Sequence, residues 1–253
     1  MPQSQTRFSA EGLIVKEMNV GESDRLITIF TREHGIIKAF ASGAKNIKSK
    51  KAAGTSLLTY SAFQILNKKG TFRIYEATPI ASFFTMGTDI EVLTLSQYFC
   101  ELALEFAEDD VPNEELLRLF LNSLHFLTKE KRYPPLIKGI TELRTAAICG
   151  YMPNLVACDG CGKFEENIMF LGLKNGKLYC EECKKPDNCV AIDKTLLSAL
   201  RHIVFSEFKN LYSFEIPPKS ADMLSKITEN YVITQTDYNF SALQFYNTIK
   251  EQI

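Results

Sequence analysis

Cys158-Asp159-Gly160-Cys161 and Cys180-Glu181-Glu182-Cys183 are two Cys-x-x-Cys turns separated by residues 162–179, each just past an apolar or aromatic run. Two residues between cysteines fold into a tight turn that aims both sulfurs at one point. Two such turns supply the four thiolates of a tetrahedral Zn²⁺ site. Gly160 and Gly162 ease the first turn, and Gly172 and Gly176 flank a segment that must double back between the pairs. The alternatives at this spacing are two disulfides or four unpaired thiols. A catalytic zinc keeps one coordination position open for water, and four cysteines leave none. The expectation is one structural Zn²⁺ per chain, held by Cys158, Cys161, Cys180 and Cys183 in a ribbon or knuckle spanning residues 154–187.

Outward from the cysteines, both flanks read as helix. On the N-terminal side Leu93, Leu95, Tyr98, Phe99, Leu102, Leu104 and Phe106 recur at three- and four-residue steps. Asn113 caps a second helix through Leu127, with Glu114 and Glu115 in its first turn, and Pro134-Pro135 breaks it. A third helix runs from about Leu136 to Cys149 and stops at Gly150. On the C-terminal side Asp193 caps Lys194–Phe208, Pro217-Pro218 interrupts, and Ser220–Tyr231 and Ser241–Gln252 follow. The metal unit is therefore predicted to be an insertion in one helical bundle over residues 81–253.

Residues 1–80 follow the other period. Phe8–Met18, Leu26–Thr31, Ile36–Ala41, Tyr60–Leu66 and Thr71–Ala77 are short β-branched and aromatic runs separated by Gly21-Glu22-Ser23-Asp24, His34-Gly35, Ser42-Gly43 and Lys69-Gly70. Five strands without a helical crossover suit a small Greek-key barrel of the oligonucleotide-binding (OB) type, with an SH3-like barrel as the rival. The fold class is thus α+β and multidomain: an N-terminal five-stranded OB-fold β-barrel, then the α-helical bundle carrying its inserted four-cysteine zinc-binding unit.

The net charge of −1 hides an asymmetry. Residues 1–80 carry twelve Lys/Arg against six Asp/Glu, or +6, and residues 81–253 carry seventeen against twenty-four, or −7. A local excess of positive charge draws polyanions whatever the whole-chain sum. The run from Gly43 to Lys51 holds four lysines among small residues, so it builds no core, and like charges are expected to keep it extended and solvated. It is either a solvated loop without a partner or a phosphate-contacting one. The predicted nucleic-acid contacts are Lys45, Lys48, Lys50 and Lys51 on this loop, with Arg25, Lys38 and Arg73 on the strands or their ends. Base stacking is open to Phe72 and Tyr75, but both are expected to face the barrel core or its covering helix.

No catalytic constellation emerges. His34, His125 and His202 lie apart without a carboxylate or thiol at a catalytic spacing, and neither a phosphate-binding loop nor a dinucleotide fingerprint is present. Glu108-Asp109-Asp110 reads as a solvated helix end, with Mg²⁺ binding as the lesser alternative. No run approaches eighteen consecutive apolar residues, and Met1–Ala10 has no apolar signal core, so neither membrane insertion nor secretion is expected. A reducing cytoplasm follows, with Cys100, Cys149 and Cys189 as small packed residues.

The stretch Gly21-Glu22-Ser23-Asp24-Arg25-Leu26-Ile27-Thr28-Ile29-Phe30-Thr31-Arg32-Glu33-His34-Gly35, followed by Gly43-Ala44-Lys45, closely resembles the start of the bacterial RecO family. Glu142-Leu143-Arg144 and Cys149-Gly150-Tyr151-Met152-Pro153-Asn154-Leu155, just ahead of the first cysteine pair, resemble that family's helix and the approach to its zinc site. The order barrel, helices, cysteines, helices extends the likeness over nearly the whole chain. It departs in the last helix, where Asn239-Phe240-Ser241-Ala242-Leu243 keeps the serine of the family's Lys-Ser element and lacks the lysine.

The resemblance implies a bacterial, nucleoid-associated recombination mediator in DNA repair, not an enzyme. Such a protein binds single- and double-stranded DNA, anneals strands coated by single-strand-binding protein, and with RecR helps to load RecA. It implies no small-molecule substrate and no membrane. It also implies a pocket in the acidic half for the acidic C-terminal tail of single-strand-binding protein, for which Lys131, Arg132, Lys138 and Arg144 are the cationic candidates. From other classes, the residues alone leave open a zinc-stabilised scaffold whose barrel binds protein, and a hydrolase acting on nucleic acid.

Overall fold

The structure, a computed structural model, describes residues 5–46, 48–84, 87–183 and 189–251. The end of the predicted metal unit (184–187) and the last residues of the chain lie outside them. The contacts divide the chain into two compact units, residues 1–130 with 240–253, and residues 131–239.

The first unit is built on a closed barrel of β1 (Gln5–Val20), β2 (Asp24–Thr31), β3 (Gly35–Ala41), β4 (Thr59–Lys68) and β5 (Thr71–Ser82). Its order is β1-β2-β3-β5-β4, with β1 returning to pair with β4 and a short parallel contact joining β3 to β5 at Ala39↔Phe72 and Phe40↔Arg73. This is the OB topology, and it settles the rivalry with the SH3-like barrel. Small and branched residues alternate inward, so Ile14, Ile27, Ile29, Ile37, Phe63, Ile65 and Ile74 fill the interior around Ala10, Ala39, Ala41 and Ala77.

Helices α1 (Ile90–Phe106), α2 (Glu114–Thr128) and α6 (Ser241–Lys250) belong to the same unit. Each of the first two starts at a capping side chain: Asp89 accepts from the Glu91 N–H at 2.8 Å and Asn113 from the Leu116 N–H at 3.0 Å. Phe30 of the barrel meets Phe120 of α2 edge-on, and Tyr98 of α1 meets Phe240 at the entry of α6. The segment between α1 and α2 locks onto the β2–β3 turn, where the Ile36 N–H donates to the Glu108 carbonyl at 3.1 Å. Gly35 is obligatory there, because a Cβ would lie 2.4 Å from that carbonyl oxygen and 2.5 Å from the Val111 oxygen, and its φ is +59°. The backbone of the Glu108-Asp109-Asp110 run is thereby tied to the barrel, with Asp109 facing Lys38, while all three residues stay exposed, in keeping with the solvated helix end that the sequence suggests.

The second unit holds α3 (Pro134–Ile148), α4 (Lys194–Phe205), α5 (Pro218–Thr236) and a three-stranded sheet of β6 (Ile168–Gly172), β7 (Leu178–Tyr179) and β8 (Cys189–Asp193) in the order β7-β6-β8. Pro134 and Pro135 start α3 and do not end α2, which stops at Thr128; at a first turn the missing proline N–H has no helical partner to lose. Asp193 closes β8 and caps α4 through the Leu196 N–H at 2.8 Å. The helices predicted as one set are thus distributed, α1, α2 and α6 with the barrel and α3, α4 and α5 with the sheet.

Candidate nucleic-acid interface and metal centre

The lysine loop after β3 is a chain of turns, not the extended segment predicted. Successive bonds from Asn46 N–H to Gly43 O, Ser49 N–H to Asn46 O and Ala52 N–H to Ser49 O lead into a single 3-10 turn at Ala53–Thr55. Like-charge repulsion loses here to local hydrogen bonding. Asp24 anchors the loop's start by accepting from the Gly43 N–H at 2.8 Å, a bond that also holds its carboxyl below the usual range. Arg25 anchors the far end: one guanidinium nitrogen reaches the Ala52 carbonyl at 3.2 Å and the Thr55 and Ser56 hydroxyls, while its Nε pairs with Glu17 at 3.0 Å. Gly54 sits so close to β5 that a Cβ would come within 2.6 Å of the Ala77 carbonyl oxygen.

This frame sorts the predicted contacts. Lys48 and Lys50 are exposed on the loop, and Arg73 is exposed on β5; none of the three has an ion pair among the described residues. Lys45 and Lys51 are half-buried, their ammonium groups touching the carbonyls of Gly21 at 3.2 Å and Ile74 at 3.4 Å. Lys38 is exposed but lies 3.8 Å from the Asp109 carboxylate. Arg25 is the clamp described above, so its guanidinium is already engaged. Phe72 packs against the barrel interior as expected, whereas Tyr75 is 54% exposed. β5 carries one residue more than β4 at this point, since Ile74 pairs with Ile65 and Glu76 with Gln64, so Tyr75 falls outside the inward-facing set of Phe72, Ile74 and Ala77.

The cationic candidates of the second unit have structural partners. Lys138 is fully buried, its ammonium 2.9 Å from Glu142, 2.7 Å from Glu229 and 3.2 Å from the Ser225 carbonyl. Burial holds the Glu142 carboxyl above its usual range against the pull of Lys138, and Thr228 donates to it at 2.6 Å. Arg144 donates to the carbonyls of Ile203, Val204 and Ser206, satisfying the C-terminal end of α4. Arg132 does likewise for Tyr212 and Phe214. Lys131 is the exposed one of the four. Residues chosen for charge are therefore taken up by orphan carbonyls and buried carboxylates, and spacing along one helix gives no sign of carbonyls offered by another.

The two Cys-x-x-Cys turns converge. The four Sγ atoms lie within 4.8 Å of one another, with Cys161 and Cys180 3.6 Å apart. Tetrahedral Zn–S bonds of ~2.3 Å put sulfurs ~3.8 Å apart, whereas a disulfide needs ~2.05 Å. No two of the seven cysteines are joined by a disulfide, which goes against the disulfide alternative. Gly160 makes the approach possible: a Cβ there would stand 2.9 Å from both Cβ and Sγ of Cys183. Burial pushes the Cys158 thiol up, but the N–H groups of Cys180, Cys161 and Gly160 outweigh it and bring it down to about 6. Hydrogen bonds shared with Cys180 and Cys161 drive Cys183 up to about 12. Four sulfurs this close share protons unless a cation lets them ionise together, which is what a divalent ion supplies.

The surroundings brace both turns. Lys163 pairs with Glu166, whose other oxygen accepts from the Glu181 N–H at 3.3 Å, so one carboxylate ties the first turn to the second. Arg201 of α4 is a brace that the sequence reading missed. Its guanidinium donates to the carbonyls of Leu155, Val156 and Phe164 and lies 4.0 Å from the Phe164 ring centroid. The signal that would have found it is an arginine one helical turn past the buried Leu196 and Leu197, beside a metal unit rich in turns.

With this geometry in place, comparison with known proteins decides the family. The model described as Recombination protein O N terminal matches residues 5–83, and the one described as Recombination protein O C terminal matches residues 87–239. The chain belongs to the RecO family. A DNA repair protein RecO from Acetivibrio thermocellus is 34% identical over 96% of this chain and 97% of its own length. Those from Caldicellulosiruptor saccharolyticus and Alkaliphilus metalliredigens are 29% and 26% identical over 96% and 94% of the chain. The RecO family boundary near residue 85 falls where the barrel's β5 gives way to α1. No helix among the described residues is long and apolar enough to cross a membrane.

Proposed function

We propose that this chain acts in DNA repair as a non-enzymatic recombination mediator. Its barrel, residues 1–80, binds single- and double-stranded DNA. The chain anneals complementary strands carrying single-strand-binding protein and, with RecR, favours RecA loading in the bacterial cytoplasm at the nucleoid. The observation that carries this reading is a closed OB barrel bearing exposed, unpaired cations at Lys48, Lys50 and Arg73, within a chain of the RecO family. Annealing needs strands held by their phosphates with bases left accessible, and a cationic surface does this without bond-making chemistry.

The four-cysteine centre is proposed to hold one structural Zn²⁺. An all-thiolate tetrahedral donor set suits zinc, and it leaves no open coordination position for a substrate. For the acidic tail of single-strand-binding protein, Lys131 stands as the exposed one of the four cationic candidates, beside the carbonyl-bound Arg132.

The test is a titration of labelled single-stranded DNA at several salt concentrations with the intact chain and with the variant carrying alanine at Lys45, Lys48, Lys50 and Lys51. Weaker binding and a flatter salt dependence in the variant support the barrel as the DNA site. An unchanged slope moves the site elsewhere, and no binding at low salt removes the function.

A further inference from the structure

The outer face of β1, β4 and β5 carries a cluster that the count of loop lysines did not include. Arg7 pairs across to Leu66, and Leu66 pairs on to Arg73, so the two arginines flank one residue in a single row. The neighbouring row, Phe8, Ile65 and Ile74, points into the barrel, so Arg7 and Arg73 point out. Immediately beyond, Ile74 pairs with Ile65 and Glu76 with Gln64, which leaves Tyr75 as the extra residue of a β-bulge. Bulges re-aim side chains next to binding sites.

The bulge presents the Tyr75 ring to solvent. It is 54% exposed, with the Arg7 guanidinium carbon 4.2 Å from its centroid. That cation covers one face of the ring, and more than half of the residue's surface remains open to solvent. The loop reaches the same strand: the Lys51 ammonium lies 3.4 Å from the Ile74 carbonyl, one peptide from Tyr75. Arg73, exposed and without an ion pair among the described residues, stands two residues before Tyr75 on the same strand. Farther along the barrel the charge reverses, where Glu11, Glu33 and Glu76 line a depression with Arg32 and Gln64. The basic run therefore has an end, and the aromatic ring sits at it.

We propose that Tyr75 is a stacking platform for one unpaired base of single-stranded DNA, with Arg7 holding the ring and Arg73 and Lys51 taking the flanking phosphates. The proposal rests on the reading that the barrel binds nucleic acid and adds how it tells single strands from duplex. Every base has a π-face, so such a platform is indifferent to sequence, but bases in a duplex are already stacked and cannot reach it. The free lysines serve both forms through phosphate charge; the ring serves one. The cations Arg7, Arg73 and Lys51 near the ring favour a nucleic acid as its ligand.

The experiment uses the intact chain and compares a labelled oligodeoxythymidylate with a labelled hairpin duplex, for wild type, Tyr75→Ala and Tyr75→Phe, at several salt concentrations. Tyr75→Ala should weaken single-strand binding by about fivefold or more, the lower end of one base–aromatic stack. It should leave duplex affinity and both salt slopes unchanged, since no charge is removed. Tyr75→Phe should bind like wild type, because the π-face and not the hydroxyl is used. Equal weakening for both DNA forms, no weakening for either, or equal loss in the Phe variant overturns the proposal while leaving barrel binding intact. Failure of wild type to bind either form at low salt would instead remove the underlying reading. If Tyr75→Ala melts early, photocrosslinking of wild type to a strand containing 5-iododeoxyuridine decides: an adduct at Tyr75 upholds the platform, and adducts confined to other residues overturn it.

Discussion

Two regions of this chain carry clustered cations, and they use them in opposite ways. On the barrel, Lys48, Lys50 and Arg73 reach solvent unpaired, while in the helical unit Lys138, Arg144 and Arg132 turn inward to carboxylates and carbonyl oxygens. The difference comes from what surrounds each. A barrel whose strands satisfy one another offers few acceptors to its loop cations: Lys45 and Lys51 find a carbonyl each, and Lys48 and Lys50 are left to solvent. Helix ends leave unsatisfied carbonyls, and a buried pair of glutamates demands a counter-ion. A cationic residue in sequence is therefore a surface charge only where the neighbouring backbone has no acceptor left to offer it.

The largest effect that sharpens this contrast comes from the metal centre. Stripping the ion with a strong chelator should collapse the turns around Cys158 and Cys180 and expose the thiols, since binding energy in such sites is folding energy of about 10 kcal/mol or more. DNA affinity at the barrel should hardly change. Thiol titration alongside DNA binding checks both, and parallel loss would show that the two regions are not separate in function.

Next in size is Lys138→Met, which leaves Glu142 and Glu229 without their ammonium. A loss of about 3–5 kcal/mol is expected in urea unfolding, because removing one partner of a buried ion pair strands the other. The pH sign follows from Glu142. Its folded value is raised above the ordinary 4.5, so the stability tied to its protonated form is present below 4.5 and lost as pH rises through the folded value. With Lys138 gone that loss deepens, and the variant should be hurt more near pH ~7 than near pH ~4. An equal penalty at both would break the assignment.

Arg144→Ala should cost about 1–3 kcal/mol by leaving the α4 carbonyls unsatisfied, without changing DNA affinity. Loss of binding to a peptide copying the acidic tail of single-strand-binding protein, in a variant of normal stability, would return Arg144 to the surface role that the sequence suggests. The smallest effect on stability belongs to Lys48→Ala/Lys50→Ala, whose thermal midpoint should match wild type. Its salt slope on single strands should nevertheless fall by about 1.4, at ~0.7 per phosphate contact, and adding Lys45→Ala and Lys51→Ala should bring the total to about 2.8.

The strands and the convergence of the four cysteines were legible because each depends on a short-range pattern: period-two alternation between turn residues, and a fixed cysteine spacing. Asn113 and Asp193 were legible as caps for the same reason. The fate of the charges was not, since Arg144 is claimed by carbonyls some sixty residues away in sequence and Lys138 by Glu229 on α5. The loop's compactness was hidden likewise, because Arg25 and Asp24, which tie it down, belong to a strand that precedes it. Tyr75 was misassigned because a bulge at that residue, set by the pairing with β4, breaks the strand's alternation, and no pattern within β5 announces it.

Gly35 has a practical side. With the Glu108 and Val111 carbonyl oxygens within 2.5 Å of where a Cβ would stand, the Gly35 position has no room for a side chain. Gly21, at the β1–β2 turn, has nothing within 4 Å of that position, so an insertion carrying a reporter dye there displaces no neighbour. A probe placed at Gly21 lies at the end of the barrel that the Lys45 side chain touches through the Gly21 carbonyl, close enough to the lysine loop to sense a passing strand.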